Sequence, residues 1–171
     1  MNIPKHIVLF PDGNRRWAKE KGLTSFDGHL KGYENIINFS NWCKDREVKV
    51  LTAFGFSTEN WKRSPEEVAY LLDLCKKGLL ESLPRFMQDG TKLNIIGDHT
   101  TVPQELKDAI EKIETQTANN EKLHLNLGIS YGGKWDILNA VKKIIQENIP
   151  AEKITEELFE SHLSTVGLPA P

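Results

Sequence analysis

His6-Ile7-Val8-Leu9-Phe10-Pro11-Asp12-Gly13-Asn14-Arg15-Arg16-Trp17 is the stretch that decides the fold. The apolar run His6–Phe10 reads as a short buried strand that ends abruptly in Asp-Gly-Asn. Arg15 to Lys21 has helix-forming composition. Strand, tight polar turn and helix start form the place where α/β proteins hold phosphate, because free backbone N–H groups converge at a helix N-terminus. Gly13 lets the backbone approach a ligand or adopt positive φ, and Arg15 and Arg16 offer forked donors suited to phosphate oxygens. Asp12 is the odd member, since a carboxylate repels a diphosphate unless a hard cation such as Mg²⁺ sits between them. A bare Asp-Gly-Asn is also an ordinary turn former, and the adjoining Arg-Arg-Trp shifts the balance towards a magnesium-diphosphate site.

Outward from this turn, strands and helices alternate. Leu30 to Arg46 carries apolar residues at helical spacing (Tyr33, Ile36, Ile37, Phe39, Trp42), and Val48 to Phe56 reads as a second strand ending in the polar cluster Ser57-Thr58-Glu59-Asn60. Ser64-Pro65-Glu66-Glu67 is a helix start in which serine caps, proline takes the first turn and Glu67 closes a capping box. That helix extends to Met87 with a broad apolar stripe and stops at Asp89-Gly90. Lys92–Gly97 and Leu123–Ile129 read as strands, and Pro103 to about Asn119 as an amphipathic helix. Lys134–Asn148 reads as a helix with Trp135, Ile137, Leu138, Val141, Ile144 and Ile145 facing inward, and a last short helix begins near Thr155. The alternation predicts an α/β fold, a mainly parallel central sheet with helices on both faces. Ligands of such sheets sit outside the carboxyl ends of the strands, where both Asp12–Arg16 and Ser57–Arg63 fall.

Composition narrows the function classes. The chain has 171 residues, enough for one domain with a real core. Its 22 Lys and Arg against 24 Asp and Glu give a net charge of −2, which argues against broad nucleic-acid binding. Cys43 and Cys75 lack metal-ligand spacing and read as reduced, buried thiols of a cytoplasmic protein. No run approaches the ~20 apolar residues of a bilayer span, no signal peptide is visible, and the sequon Asn38-Phe39-Ser40 then carries no meaning.

Five segments in order resemble the cis-prenyltransferases, isoprenyl diphosphate synthases of the undecaprenyl and dehydrodolichyl type. They are D-G-N-R-R-W-A from Asp12, Gly28-His29, F-S-T-E-N-W-x-R at Phe56–Arg63, I-I-G-D at Ile95–Asp98 and Y-G-G-K-W-D at Tyr131–Asp136. The resemblance implies Mg²⁺-dependent condensation of isopentenyl diphosphate with an allylic diphosphate such as farnesyl or geranyl diphosphate, forming cis double bonds. It also implies a homodimer and peripheral membrane contact for long products. By the match, Asp12 holds Mg²⁺, and Gly13, Asn14, Arg15 and Arg16 cradle the allylic diphosphate with Trp17 beside it. His29 corresponds to a phosphate-contacting histidine, although by itself it reads as a cap or a satisfied buried histidine. Ser57, Thr58 and Glu59 match a substrate-contacting run, and Arg63 an arginine on the allylic diphosphate. Asn60 matches the proposed proton acceptor, an awkward role for a neutral amide. Trp61 is placed to wall the prenyl chain, while an aromatic just before a capped helix is more often part of the core. Tyr131-Gly132-Gly133-Lys134, although similar to the family segment, reads first as a turn and helix start. The Ser64–Met87 helix is the natural wall of an apolar tunnel.

Two departures from the family pattern stand out. Ser25 replaces a common arginine, which removes a phosphate contact. The chain ends at Gly167-Leu168-Pro169-Ala170-Pro171, where family members continue into a strand, an arginine-rich segment and a glutamate that serve the second substrate. The resemblance therefore leads to the expectation of a domain truncated at its C-terminus and inactive or slow on its own. Two rival readings are a non-catalytic subunit supporting a partner synthase and an α/β hydrolase or kinase. The first usually loses the Asp-Gly-Asn turn that this chain keeps, and the second lacks any P-loop, nucleophile-elbow or dinucleotide motif.

Overall fold

All four expected strands form, and all pair in parallel. The computed structural model describes residues 3–169. In chain order the elements are β1 (His6–Leu9), α1 (Asn14–Glu20), α2 (Ser25–Asp45), β2 (Val50–Ser57), a 3₁₀ turn (Thr58–Lys62), α3 (Pro65–Asp89), β3 (Thr91–Ile96), α4 (Gln104–Thr117), β4 (Leu123–Tyr131), α5 (Gly133–Gln146), a second 3₁₀ turn (Ala151–Lys153) and α6 (Glu156–Ser161). The sheet order is β1-β2-β4-β3. Because β1 and β2 are parallel neighbours, with Val8 opposite Thr52, the loops leaving their carboxyl ends emerge side by side. Register also lines up a buried polar row: His6 Nε2 lies 2.8 Å from Thr52 Oγ1, and Asn126 Nδ2 donates to the same hydroxyl at 3.4 Å. Asn94 extends the row to the far strand by donating to Asn126 Oδ1 at 3.2 Å.

The core lies between the sheet and α2, α3 and α4, around fully buried Leu51, Phe56, Leu93, Leu106, Ile113, Leu123 and Ile129. Helix α4 runs along the outer edge of β3. There Thr117 Oγ1 accepts the Leu93 N–H at 3.1 Å and Glu114 Oε1 the Ile95 N–H at 2.6 Å, so the edge donors are satisfied without another strand. Burial pushes the Glu114 carboxyl above its ordinary range. Both cysteines are free thiols, and burial pushes Cys75 up to about 12. Among the described residues no helix is long and apolar enough to cross a membrane.

Three expectations change. Helix α2 starts five residues earlier than Leu30, because Thr24 and Asp27 form a capping box, Thr24 Oγ1 accepting from Asp27 N–H at 3.2 Å and the Asp27 carboxylate accepting from Thr24 N–H at 2.9 Å. His29 is thus interior to the helix and caps nothing. At α3, Ser64 Oγ does accept the Glu67 N–H at 3.3 Å, but the Glu67 carboxylate does not return the bond; it is engaged elsewhere. On α5 the buried residues are Asp136, Ala140 and Ile144, whereas Ile137, Leu138, Val141 and Ile145 are exposed, since α5 packs chiefly on α6.

Docking of α1 onto α2 depends on two missing side chains. A Cβ on Gly28 would lie 2.4 Å from the Asn14 carbonyl oxygen, and one on Gly32 would lie 2.3 Å from Asn14 Nδ2. The two glycines, one turn apart, make a notch into which the start of α1 sinks, with Asn14 Nδ2 also donating to Pro11 O at 2.9 Å. Gly28→Ala is expected to cost about 1–3 kcal/mol through overpacking against main chain that cannot yield, lowering the melting temperature by several degrees, at roughly 2–4 °C per kcal/mol for a domain of this size. A denaturant titration showing unchanged stability would dismiss the notch as a constraint.

Candidate active site

The turn after β1 and the loop after β2 open onto one cavity of about 1190 Å³. Its mouth is polar, lined by Asp12, Arg15, Arg16, His29, Glu59 and Arg63, and its body is apolar, walled by Ile36, Leu71, Leu79, Phe86, Leu93 and Leu125 from α2, α3 and the sheet. Charge at one end and grease along the rest is the profile of a ligand with an anionic head and a hydrocarbon tail.

At the mouth, Gly13 takes φ 89° and initiates α1 without a side-chain cap, a conformation that favours glycine. Its N–H donates to Asp12 Oδ1 at 2.5 Å, which turns the carboxylate back over its own loop. Arg16 Nη2 reaches Asp12 Oδ2 at 3.2 Å, but both side chains are largely in solvent, so a stronger ligand readily replaces the pairing. Among the described residues no three acidic, histidine or cysteine side chains cluster in a way that could hold a metal ion.

The organising residue of the mouth is one that sequence reasoning had spent on a cap. Glu67 Oε1 accepts from His29 Nε2–H at 2.9 Å and from Arg63 Nη1 at 2.8 Å, with Arg15 Nε at 3.8 Å. Arg63 Nη1 also lies 3.4 Å from His29 Nε2. Burial works to raise the Glu67 carboxyl, but the His29 hydrogen bond and the Arg63 and Arg15 charges outweigh it and hold the group below its ordinary range. One buried oxygen thus gathers groups from α1, α2 and the β2–α3 loop. Each guanidinium keeps further N–H donors free for an anion. The available signal was the spacing of Arg63 and Glu67, which puts them one helical turn apart.

The loop after β2 is held by its own bonds. Asn60 Oδ1 accepts the Ser57 N–H at 2.9 Å, and Ser57 reciprocates as a cap. Trp61 packs edge-on against Phe56, centroids 5.1 Å apart, and its indole N–H donates to Ser130 Oγ at 3.0 Å. Thr58 faces the turn after β4, where a Cβ on Gly132 would meet its hydroxyl at 2.4 Å. Of the expected site residues, Asp12, Gly13, Asn14, Arg15, Arg16, His29, Ser57, Glu59, Asn60 and Arg63 line the cavity, whereas Trp17, Thr58 and Trp61 do not. Ser25 lines it too, at the position where the resemblance leads one to expect arginine. Asp136 accepts from Tyr131 Oη at 3.0 Å and from Ser164 N–H at 3.0 Å, tying the C-terminal segment to β4. Burial and the Asp136 charge push Tyr131 up to about 12.

A cationic mouth over an apolar cavity in an α/β fold defines an enzyme that handles amphiphilic phosphate esters, and comparison with known proteins makes the class specific. Residues 10–171 match the family model described as "Putative undecaprenyl diphosphate synthase". An isoprenyl transferase of Oceanobacillus iheyensis is 40% identical over 174 residues, covering 99% of this chain and 69% of its own length. A (2E,6E)-farnesyl-diphosphate-specific ditrans,polycis-undecaprenyl-diphosphate synthase of Legionella pneumophila is 36% identical, covering 99% of this chain and 73% of its own. Lavandulyl diphosphate synthase from Lavandula x intermedia, solved in complex with dimethylallyl diphosphate, superposes with a TM-score of 0.89 at 31% identity, covering 95% of this chain and 71% of that one. A probable undecaprenyl diphosphate synthase from Campylobacter jejuni gives 0.73 at 29%, over 95% and 70%. This chain belongs to the undecaprenyl diphosphate synthase family, the cis-prenyltransferases.

The depressed Glu67 carboxyl has a pH signature. A lowered folded-state pKa contributes stability that is complete above the unfolded value, about 4.3 for glutamate, and disappears as pH falls through the folded value. Glu67→Gln should therefore be less stable than the parent by about 1–3 kcal/mol at neutral pH, and the gap should close in acid below pH ~4. Parallel urea titrations across this range decide it; a gap that persists unchanged into acid refutes the charge-gathering role.

Proposed function

We propose that this chain carries out Mg²⁺-dependent condensation of isopentenyl diphosphate with an allylic prenyl diphosphate, extending it by a cis double bond. The observation carrying this reading is the convergence, in one cavity, of Asp12, the arginine and histidine donors gathered on Glu67 and an apolar body lined by α2 and α3. Arg15, Arg16, His29 and Arg63 bind the allylic diphosphate at the mouth, and its tail lies along Ile36, Leu71 and Leu79. As the allylic C–O bond breaks, negative charge grows on the departing diphosphate. Donors already fixed by Glu67 meet that charge without reorganising, which is where preorganised electrostatics lowers a barrier. The apolar body keeps water from the allylic carbon while the new C–C bond forms.

A solvent-facing carboxylate suits Mg²⁺, which is commonly held by one or two carboxylates together with substrate phosphates and retained waters. Asp12 is the residue that would hold it, and the ion when bound neutralises charge on the leaving diphosphate. Asn60 orients rather than accepts the proton, because its carbonyl oxygen is already bonded to the Ser57 N–H and a neutral amide is a weak base. The proton lost on forming the double bond passes to a diphosphate oxygen. Ser57 and Glu59 border the substrate, and Gly13 and Asn14 shape its cradle; Thr58 and Trp61 brace the loop after β2 from outside the cavity, and Trp17 stands outside it. A single domain, a homodimeric assembly, a cytoplasmic location and peripheral membrane contact for long products belong to the same proposal.

Mg²⁺ is expected to strengthen farnesyl diphosphate binding to the parent protein, and Asp12→Ala to abolish that strengthening while leaving the circular dichroism spectrum and melting temperature unchanged. Calorimetric titration with and without the ion reads this, and incorporation of labelled isopentenyl diphosphate should fall about a hundredfold or more. Equal Mg²⁺ dependence in both proteins would remove Asp12 from the metal and favour the supporting-subunit alternative.

A further inference from the structure

Helices α1 and α2 form a hairpin beside the mouth of the cavity, joined by residues 21–24. Asn14 packs against Gly28 and Gly32, while Ala18 approaches Gly28, where an added Cβ would lie 3.0 Å from the Ala18 methyl group. Passing along α1 thus leads back towards the start of α2, as in two antiparallel helices joined by a short loop. The inner level of this hairpin carries donors already described, Arg15 and Arg16 on α1 and His29 on α2. One helical turn further out stand Lys19 on α1 and Ser25 on α2. Both line the cavity, together with Gly22 and Leu23 of the connection.

Ion pairing separates Lys19 from its neighbours. Arg15 and Arg63 are drawn to Glu67, and Arg16 to Asp12. Lys19 is exposed, and among the described residues no carboxylate pairs with its ammonium. Ser25 brings no charge of its own. The outer level therefore holds an unneutralised cation at the border of an anion site.

We propose that Lys19 binds the distal phosphate of the allylic diphosphate. The proposal rests on the prenyltransferase reading above and adds a residue to the same site. With the proximal phosphate on the donors gathered by Glu67 and the tail in the apolar body, the distal phosphate points outward, to the level of Lys19 and Ser25. An ammonium is a compact charge on a flexible stem, so Lys19 follows that phosphate without needing one fixed geometry. It meets the end of the diphosphate that carries the most charge, while the guanidiniums hold the end nearer the carbon. Lys21 supplies an internal comparison: it caps the C-terminal end of α1, where a cation also complements the helix carbonyls, yet it lies outside the cavity lining.

The test titrates the whole chain, K19A and K21A with farnesyl diphosphate and farnesyl monophosphate in Mg²⁺ buffer by calorimetry, with melting temperatures measured alongside. K19A should bind the diphosphate roughly tenfold more weakly and the monophosphate as the parent does, whereas K21A should match the parent with both. K19A/S25R, which returns a cation from the opposite helix, should recover most of the lost affinity. K19M, which keeps an aliphatic stem, serves if K19A is unstable and should weaken diphosphate binding in the same way. A loss in K19A no greater than in K21A, or an equal loss for both esters, overturns the Lys19 contact alone. A folded double variant as weak as K19A overturns the placement of both residues around one phosphate. A parent that binds neither ester overturns the prenyltransferase reading and the contact with it.

Discussion

One carboxylate oxygen holds the mouth of this molecule together. Arg15, His29 and Arg63 come from three separate segments, and the two guanidiniums would repel each other if brought together without an anion. Glu67, at the start of α3 and mostly buried, supplies that anion before any substrate arrives. Removing one partner from such an arrangement strands the others, so the group behaves as a unit. The two guanidiniums outnumber the one carboxylate that holds them, and donors held in place beforehand are the condition for stabilising charge that appears only during a reaction.

The rest of the fold delivers segments to that oxygen. Parallel pairing of β1 with β2 places their exits side by side. The glycine notch on α2 seats Asn14 and thereby fixes where Asp12 to Arg16 stand relative to His29. Trp61, anchored on Phe56 and Ser130, sets the loop that carries Arg63. Beyond this fastening point α2 and α3 are tied along their length by Tyr70 on Phe26, Tyr33 on Gly78 and Ser82, Arg85 on Asn41 and Lys44 on Asp89.

Sequence reasoning recovers every strand and the main helices because their signals are local: apolar runs bounded by turns, and a serine–proline start for α3. The Asp12 turn is legible for the same reason, since its residue types are contiguous. Glu67 escapes because its meaning depends on His29, thirty-eight positions away; in the linear pattern a glutamate at that offset from serine is an ordinary cap. The start of α2 is misplaced because Thr24 and Asp27 cap it through a reciprocal bond that outweighs the weak helix preference of Gly28. On α5, periodicity identifies an apolar stripe but not what lies opposite it. Thr58 and Trp61 illustrate a further limit, for a run such as Ser57-Thr58-Glu59-Asn60-Trp61 alternates between lining a cavity and bracing its wall, and only the turn geometry sorts one from the other.

Helix α4 has a consequence for assembly. With Thr117 and Glu114 occupying the backbone donors of β3, that flank of the sheet is sealed against recruitment of another strand. The order β1-β2-β4-β3 leaves His6–Leu9 as the opposite flank. The two flanks of the sheet therefore differ: one is closed by the side chains of a helix, and the other lies next to the turn that carries Asp12.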